Sequence, residues 1–296
     1  MIRWCFVALA AISISCGGGG FKQGYPLTSE IATGIPADTV ALAGGRMDLL
    51  LESPAFARLQ QMLPAGGLDG VAKEFGLDPR KEIKEFVVAY NGREPLMLAS
   101  GSFRAADVLA KVASTAGAGR SEYKGKPMVT RGTAGIAALS STVLAAGPVN
   151  RLHECSDRLS QSAKLDERWA ASLRTLPAQT QLWFLSTGGS TLNLPPGSNL
   201  GNIDKILASV DRLAVWADLS KSLHLTASAA TRDAASAKQL HTQLRGLIGI
   251  GRLSTPDDKP ELLKLYDGIQ TKLEENKIDV EIDVPTASLE VLLPKR

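Results

Sequence analysis

Near the C-terminus Asp279, Glu281 and Asp283 alternate with Ile278, Val280, Ile282 and Val284, a row of carboxylates of the type that hard cations take. Side chains two apart on a strand stand about 7 Å from one another, and neither a loop glycine nor a second run of ligands converges on the row. The alternation instead predicts a strand with one buried and one solvated, acidic face, whose charge discourages pairing with another chain. Asp257 and Asp258 stand where a helix start accounts for them. Histidine is limited to His153, His224 and His241, no two at ligand spacing, so a metal site built from local sequence is excluded. His224 sits between Leu223 and Leu225 and is expected on the surface side of its strand.

Nucleophile motifs are absent: there is no G-x-S-x-G, no S-x-x-K with its supporting motifs and no H-E-x-x-H. The stretch from Gly119 to Lys126 departs from a phosphate loop, because five residues separate its glycines and Pro127 replaces the hydroxyl that would hold magnesium. Gly246, Gly249 and Gly251 have a dinucleotide spacing in reverse and follow a helix instead of opening one. No catalytic residue, metal ligand or cofactor is therefore predicted, and the balance leans away from an enzyme. Trp169, Trp183 and Trp216 are expected as core anchors. If Trp183 and Trp216 both face away from the helices, they would line a groove for a ligand or partner.

The chain has 296 residues, 44% hydrophobic and 21% charged, with net charge +3, which is globular composition and gives no sign of a nucleic-acid partner. Its sharpest signal lies at the start. Met1-Ile2-Arg3 is a short positive region, Trp4 to Ile12 is unbroken apolar sequence, and Ser13-Ile14-Ser15 puts small residues before Cys16. The apolar stretch is too short to span a bilayer, which takes about 20 residues. The segment resembles a bacterial lipoprotein signal peptide, in which removal of the leader (1–15) leaves a cysteine carrying diacylglycerol; Ser13 stands where such signals carry Leu, Val or Ile. The resemblance covers about the first twenty residues and implies lipidation of Cys16. The alternatives are cleavage after Ser15 by the ordinary signal peptidase, giving a soluble secreted chain, and an apolar start without an export role. Gly17 to Gly20 would serve as a flexible tether. The only other cysteines are Cys5, lost with the leader, and Cys155, so no disulfide framework exists. Cys155 lies three residues after Leu152 and four before Leu159 and is expected as a buried thiol on an apolar helix face.

Residues 16–38 then read as a lipid-anchored flexible linker, with Gly24, Pro26, Gly34 and Pro36 breaking any period. From Thr39 a strand runs to Gly44-Gly45, Ser53 caps a helix with Pro54 first, and Asp78-Pro79 starts another. Asn91-Gly92 joins two strands as a hairpin. A helix over 105–113 and one capped by Asn150 follow, with strands between them. The second half repeats the order: a strand over 182–185, a helix over 199–209, a strand pair at 213–217 and 223–227, and a helix over 260–272 with Asp258 and Glu261 as a capping box. A constant interval places Phe86 on Leu213, Val88 on Val215, Leu96 on Leu223 and Leu98 on Leu225, an internal repeat.

The predicted class is α+β: two similar β-α-β-β-α-β units of the ferredoxin-like split kind with mostly antiparallel sheets, over 39–163 and 164–296. The expected function is that of a membrane-anchored cell-envelope lipoprotein that binds an envelope protein or an apolar ligand. An exported hydrolase assembled only in the fold and a carrier of lipid remain open. Gly17, in place of the Asp that marks inner-membrane retention, implies an outer-membrane anchor facing the periplasm if the envelope has two membranes.

Overall fold

The computed structural model describes residues 24–60, 67–188, 210–285 and 288; Cys16, the leader and the expected helix at 199–209 lie outside them. Twelve strands form one sheet: β1 (Ala41–Arg46), β2 (Ile83–Tyr90), β3 (Pro95–Gly101), β4 (Gly119–Tyr123), β5 (Lys126–Arg131), β6 (Ala134–Ala138), β7 (Val143–Pro148), β8 (Leu182–Thr187), β9 (Arg212–Asp218), β10 (Leu223–Ala230), β11 (Gln270–Glu274) and β12 (Lys277–Val284). Their order is β11-β12-β10-β9-β8-β1-β2-β3-β7-β6-β5-β4, with every pairing antiparallel. The α+β class and antiparallel sheets hold, and the two units share one sheet through the β1–β8 pair. Outward from that pair the arms run β1-β2-β3-β7-β6 and β8-β9-β10-β12-β11: a three-strand meander, then helix, then a hairpin whose last strand returns beside the third.

The constant interval fails across the second hairpin. Phe86 pairs with Ala99, whereas Leu213 pairs with Ala229, three residues beyond the partner that the interval requires. Since side chains alternate along a strand, an odd slip exchanges faces. Leu96 and Leu98 are buried under one face, and Leu223 and Leu225 pack under the other.

Ten helices flank the sheet among the described residues. The short ones are α1 (Ser29–Gly34), α2 (Met47–Leu51), α3 (Pro54–Leu59) and α5 (Pro79–Glu82); the longer are α4 (Gly67–Phe75), α6 (Ala105–Ala113), α7 (Val149–Ser160), α8 (Glu167–Thr175), α9 (Ala234–Leu253) and α10 (Pro260–Asp267). One face carries α1, α7 and α8, whose Ile31, Leu152 and Trp169, with Ile35 directly after α1, pack over Leu42, Val87, Leu98 and Leu185. On the opposite face α6 covers β5 to β7, and α2, α3 and α10 cover the C-terminal arm.

Residues 24–38 are folded, which corrects the flexible linker. A six-residue helix has no stability of its own, and α1 exists because Ile31 and Ile35 are fully buried, a gain of about 2 kcal/mol each. Its Pro and Gly neighbours hide so short a stripe. Ser53 caps α3 as expected, its Oγ accepting from Phe56 N at 3.1 Å, and Asp78 accepts from Arg80 N at 3.1 Å. The capping box is not formed: α10 starts after Lys259 without a side-chain cap, Glu261 bonds Lys264 and Ser288, and the helix ends at Asp267 so that 270–274 pair as β11. Asn150 lies inside α7, where its Nδ2 donates to Glu94.

Polar groups are trapped where the N-terminal segment crosses the sheet. Glu85 is buried, its Oε2 accepts from Thr28 N at 3.0 Å, and its Oε1 has no partner among the described residues. Burial raises its carboxyl above the ordinary range, against the bonds from Thr28. The folded protein thus takes up this proton more readily than the unfolded chain. Stability from Glu85 is complete below the ordinary glutamate range and is lost as pH rises through the folded value. Glu85→Gln is expected to raise Tm at pH 8 and to leave it unchanged near pH 4; equal shifts at both pH values would show that ionisation is not the cause.

Candidate functional site

A cleft follows from a change in residue size along α6 and the strands beneath it. Ala105, Val108 and Leu109 of α6 sink into Val129, Ile136, Ala138 and Leu144. One turn on, Val112 is only half-buried, because the side chains that β6 and β7 turn toward it there are the small ones of Ala134 and Ala146. Together with α4, which contributes Phe75, this leaves a cleft of about 800 Å³, within the range of ligand sites.

Its rim is cationic. Lys73 of α4, Lys111 of α6 and Arg131 of β5 border an apolar floor of Val129, Ile136 and Ala146. Glu74 is the acidic member, 3.9 Å from Arg131. Lys73 and Lys111 have no acidic partner among the described residues.

His224 is the nearest approach to hydrolytic geometry. Its Nδ1 lies 2.8 Å from Asp283 Oδ1 and its Nε2 3.3 Å from Thr226 Oγ1, a carboxylate, imidazole and hydroxyl in sequence. The three sit on a sheet face, however, with β10 paired on both sides, so the backbone N–H groups are engaged in the ladder and none converge as an oxyanion hole. His224 is half-exposed on the side away from Leu223 and Leu225, as expected. Asp279, Glu281 and Asp283 share that open face, with Asp279 held by Lys277 at 2.9 Å. Among the described residues no three His, Cys, Asp or Glu side chains are grouped to hold a metal ion. β12 is not an edge, because β11 pairs along it.

Cys155 is fully buried, and burial pushes its thiol up to about 12, which makes it inert packing. His153 stacks on Tyr123 with ring centroids 3.9 Å apart, and His241 Nε2 lies 3.0 Å from Thr271 Oγ1. Trp169 is core. Trp183 and Trp216 are cross-strand partners on one face, but the helices cover Trp183 and leave Trp216 half-buried at their margin. The expected groove is thus reduced to a small pocket at Trp216, bordered by Thr180 and Asp218, which sequence patterning did not single out. Cys16, the one site residue named from sequence, lies outside the described residues.

Fold and cleft together define an α+β protein with helices on both faces of a single antiparallel sheet and a half-open cleft under one helix pair. No family model matches the sequence, and no curated protein matches it. Among solved structures the chain is similar to TP0453: its crystal form I superposes with a TM-score of 0.51 at 10% identity, over 90% of this chain and 96% of that one. Crystal form III of the same protein gives 0.49 at 10% identity over 88% and 96%. At that identity the likeness speaks for the fold alone.

Proposed function

We propose that the protein is a membrane-tethered, non-enzymatic cell-envelope protein that takes an amphiphilic ligand into the cleft between α4, α6 and strands β5 to β7. The observation that carries this is the cleft itself: an apolar floor large enough for an acyl chain, beneath a rim with Lys73, Lys111 and Arg131. Apolar contact supplies affinity and the cations favour an anionic end. The leader and Cys16 support the location, with the acylated cysteine as the membrane partner.

A fluorescent fatty acid is expected to bind saturably with one site per chain. Ala146→Phe, which fills the floor, should weaken it at least tenfold, and Lys73→Glu with Lys111→Glu should weaken it several-fold while sparing a neutral acyl alcohol. Thermal unfolding of each variant separates loss of the site from loss of the fold. Unsaturable uptake, or affinity indifferent to Ala146→Phe in a folded variant, would remove the cleft as the binding site.

A further inference from the structure

On the opposite face of the sheet from the cleft, and so beyond the function proposed for it, a pocket of about 130 Å³ is lined by Pro177, Gln179, Thr180, Trp216, Asp218 and His224. Three of these groups suit a partner of one kind. Thr180 is 2% exposed, and its Oγ1 has no hydrogen-bond partner among the described residues although it borders the pocket. A buried hydroxyl left unpaired costs stability, and a valine of the same shape would not incur that cost. Asp218 is the acidic residue lining the pocket, whose one basic neighbour is the His224 imidazole, with no Lys or Arg in the lining. Burial works against its ionisation, but the Ser220 hydroxyl and N–H outweigh it and hold the carboxyl below the usual range. Trp216 presents an indole at the margin of the helix cover.

We propose that this pocket binds a primary ammonium group. An ammonium has three N–H donors and no acceptor, and a carboxylate, a hydroxyl oxygen and an aromatic face are three receptors for it. An anion would meet Asp218 head-on. A quaternary ammonium has no proton for Thr180.

The pocket also stands where the tether enters the fold. Gly24 N donates to Leu176 O at 2.9 Å, directly before Pro177. Gly24 follows Cys16 by eight chain steps, a span of at most about 28 Å. An acylated Cys16 would therefore keep Gly24 within that distance of a bilayer, where a primary ammonium is offered as an aminolipid headgroup or as a free amine. The pocket's chemistry is the same for both.

The test uses the full mature chain carrying Cys16→Ala, titrated with ethanolamine hydrochloride at constant ionic strength by calorimetry or ligand-observed NMR, beside tetramethylammonium chloride. Ethanolamine should saturate one site with at least fivefold preference over tetramethylammonium. Asp218→Asn should weaken it at least tenfold, and Thr180→Val several-fold with an equal or higher melting temperature. Greater flotation with vesicles containing phosphatidylethanolamine than with phosphatidylcholine alone assigns the headgroup as source; equal flotation with ethanolamine binding intact assigns the free amine. Absence of saturation, equal affinity for tetramethylammonium, or indifference to Asp218→Asn overturns the proposal. A lower melting temperature for Thr180→Val overturns it too, because the hydroxyl would then serve the fold. Fatty-acid binding in the cleft is read separately, so either site can fail alone.

Discussion

Replacing Cys16 with Ala is expected to move the protein almost completely from the membrane fraction to the soluble one, and to remove a diacylglycerol mass from a chain that begins at residue 16. The size of the effect follows from anchor energetics. Each acyl CH₂ buried in a bilayer contributes about 0.8 kcal/mol, one chain gives only marginal binding, and two give stable attachment. Among the described residues no helix is long and apolar enough to cross a membrane. In this proposal the two chains on Cys16 carry the attachment, and losing them is expected to be near all-or-none. Intact mass and fractionation of both chains check it. An unmodified soluble product from the wild type, starting at Cys16, would transfer the cleavage to the ordinary signal peptidase. A product retaining Met1 among cytosolic proteins would end the export proposal.

Legibility of the fold tracked the length of each periodic signal. The strand over 278–284 alternates through seven residues and was legible with its buried side, and the helix over 105–113 was legible as an element. Ser53-Pro54 and Asp78-Pro79 were legible because cap and start are adjacent in the chain. What escaped was set by tertiary contact. Ile31 in α1 and Ile35 directly after it are held by the core alone, and the slip between Leu98 and Leu225 is invisible in sequence because two alternating strands align equally well on either face. Asn91-Gly92 does turn the chain, yet only Gly92 takes positive φ, at +91°, while the Asn91 side chain accepts from Arg93 N and Glu94 N.

The candidate sites were less legible than the fold, for the same reason. The cleft exists where small residues on β6 and β7 lie beneath α6, and nothing in Ala134 or Ala146 states which helix passes above. Thr180 and Asp218 are separated by most of β8 and β9 and meet only because those strands pair. Trp216 was legible as a large anchor near a possible groove, and its half-exposure depended on where the covering helices stop.

Gly44 and Gly45 were expected to close β1, whereas both lie within it, and the reason yields the second large effect. A Cβ on Gly44 would stand 2.4 Å from Trp183 Cζ2 and 2.8 Å from Phe86 O. Trp183 is buried with Tyr25 packed against it edge-on, ring centroids 5.4 Å apart, so the indole has little room to yield. β1 also joins the two arms and is paired on both sides, so a backbone shift there disturbs β2 and β8 together. Gly44→Ala is therefore expected to cost about 3 kcal/mol, at the upper end of overpacking effects, and to lower Tm by about 8 °C. Trp183→Phe alone should cost about 2 kcal/mol through the space it leaves. The double variant should lose about 1 to 2 kcal/mol less than the two combined, because the smaller ring makes room for the new methyl. Gly246→Ala in α9 is the control: its Cβ meets nothing within 4 Å, and it should gain up to about 1 kcal/mol from helix propensity. Strict additivity of Gly44→Ala and Trp183→Phe in thermal unfolding would show that the indole is not what holds residue 44 to glycine, and would leave Phe86 O as the constraint.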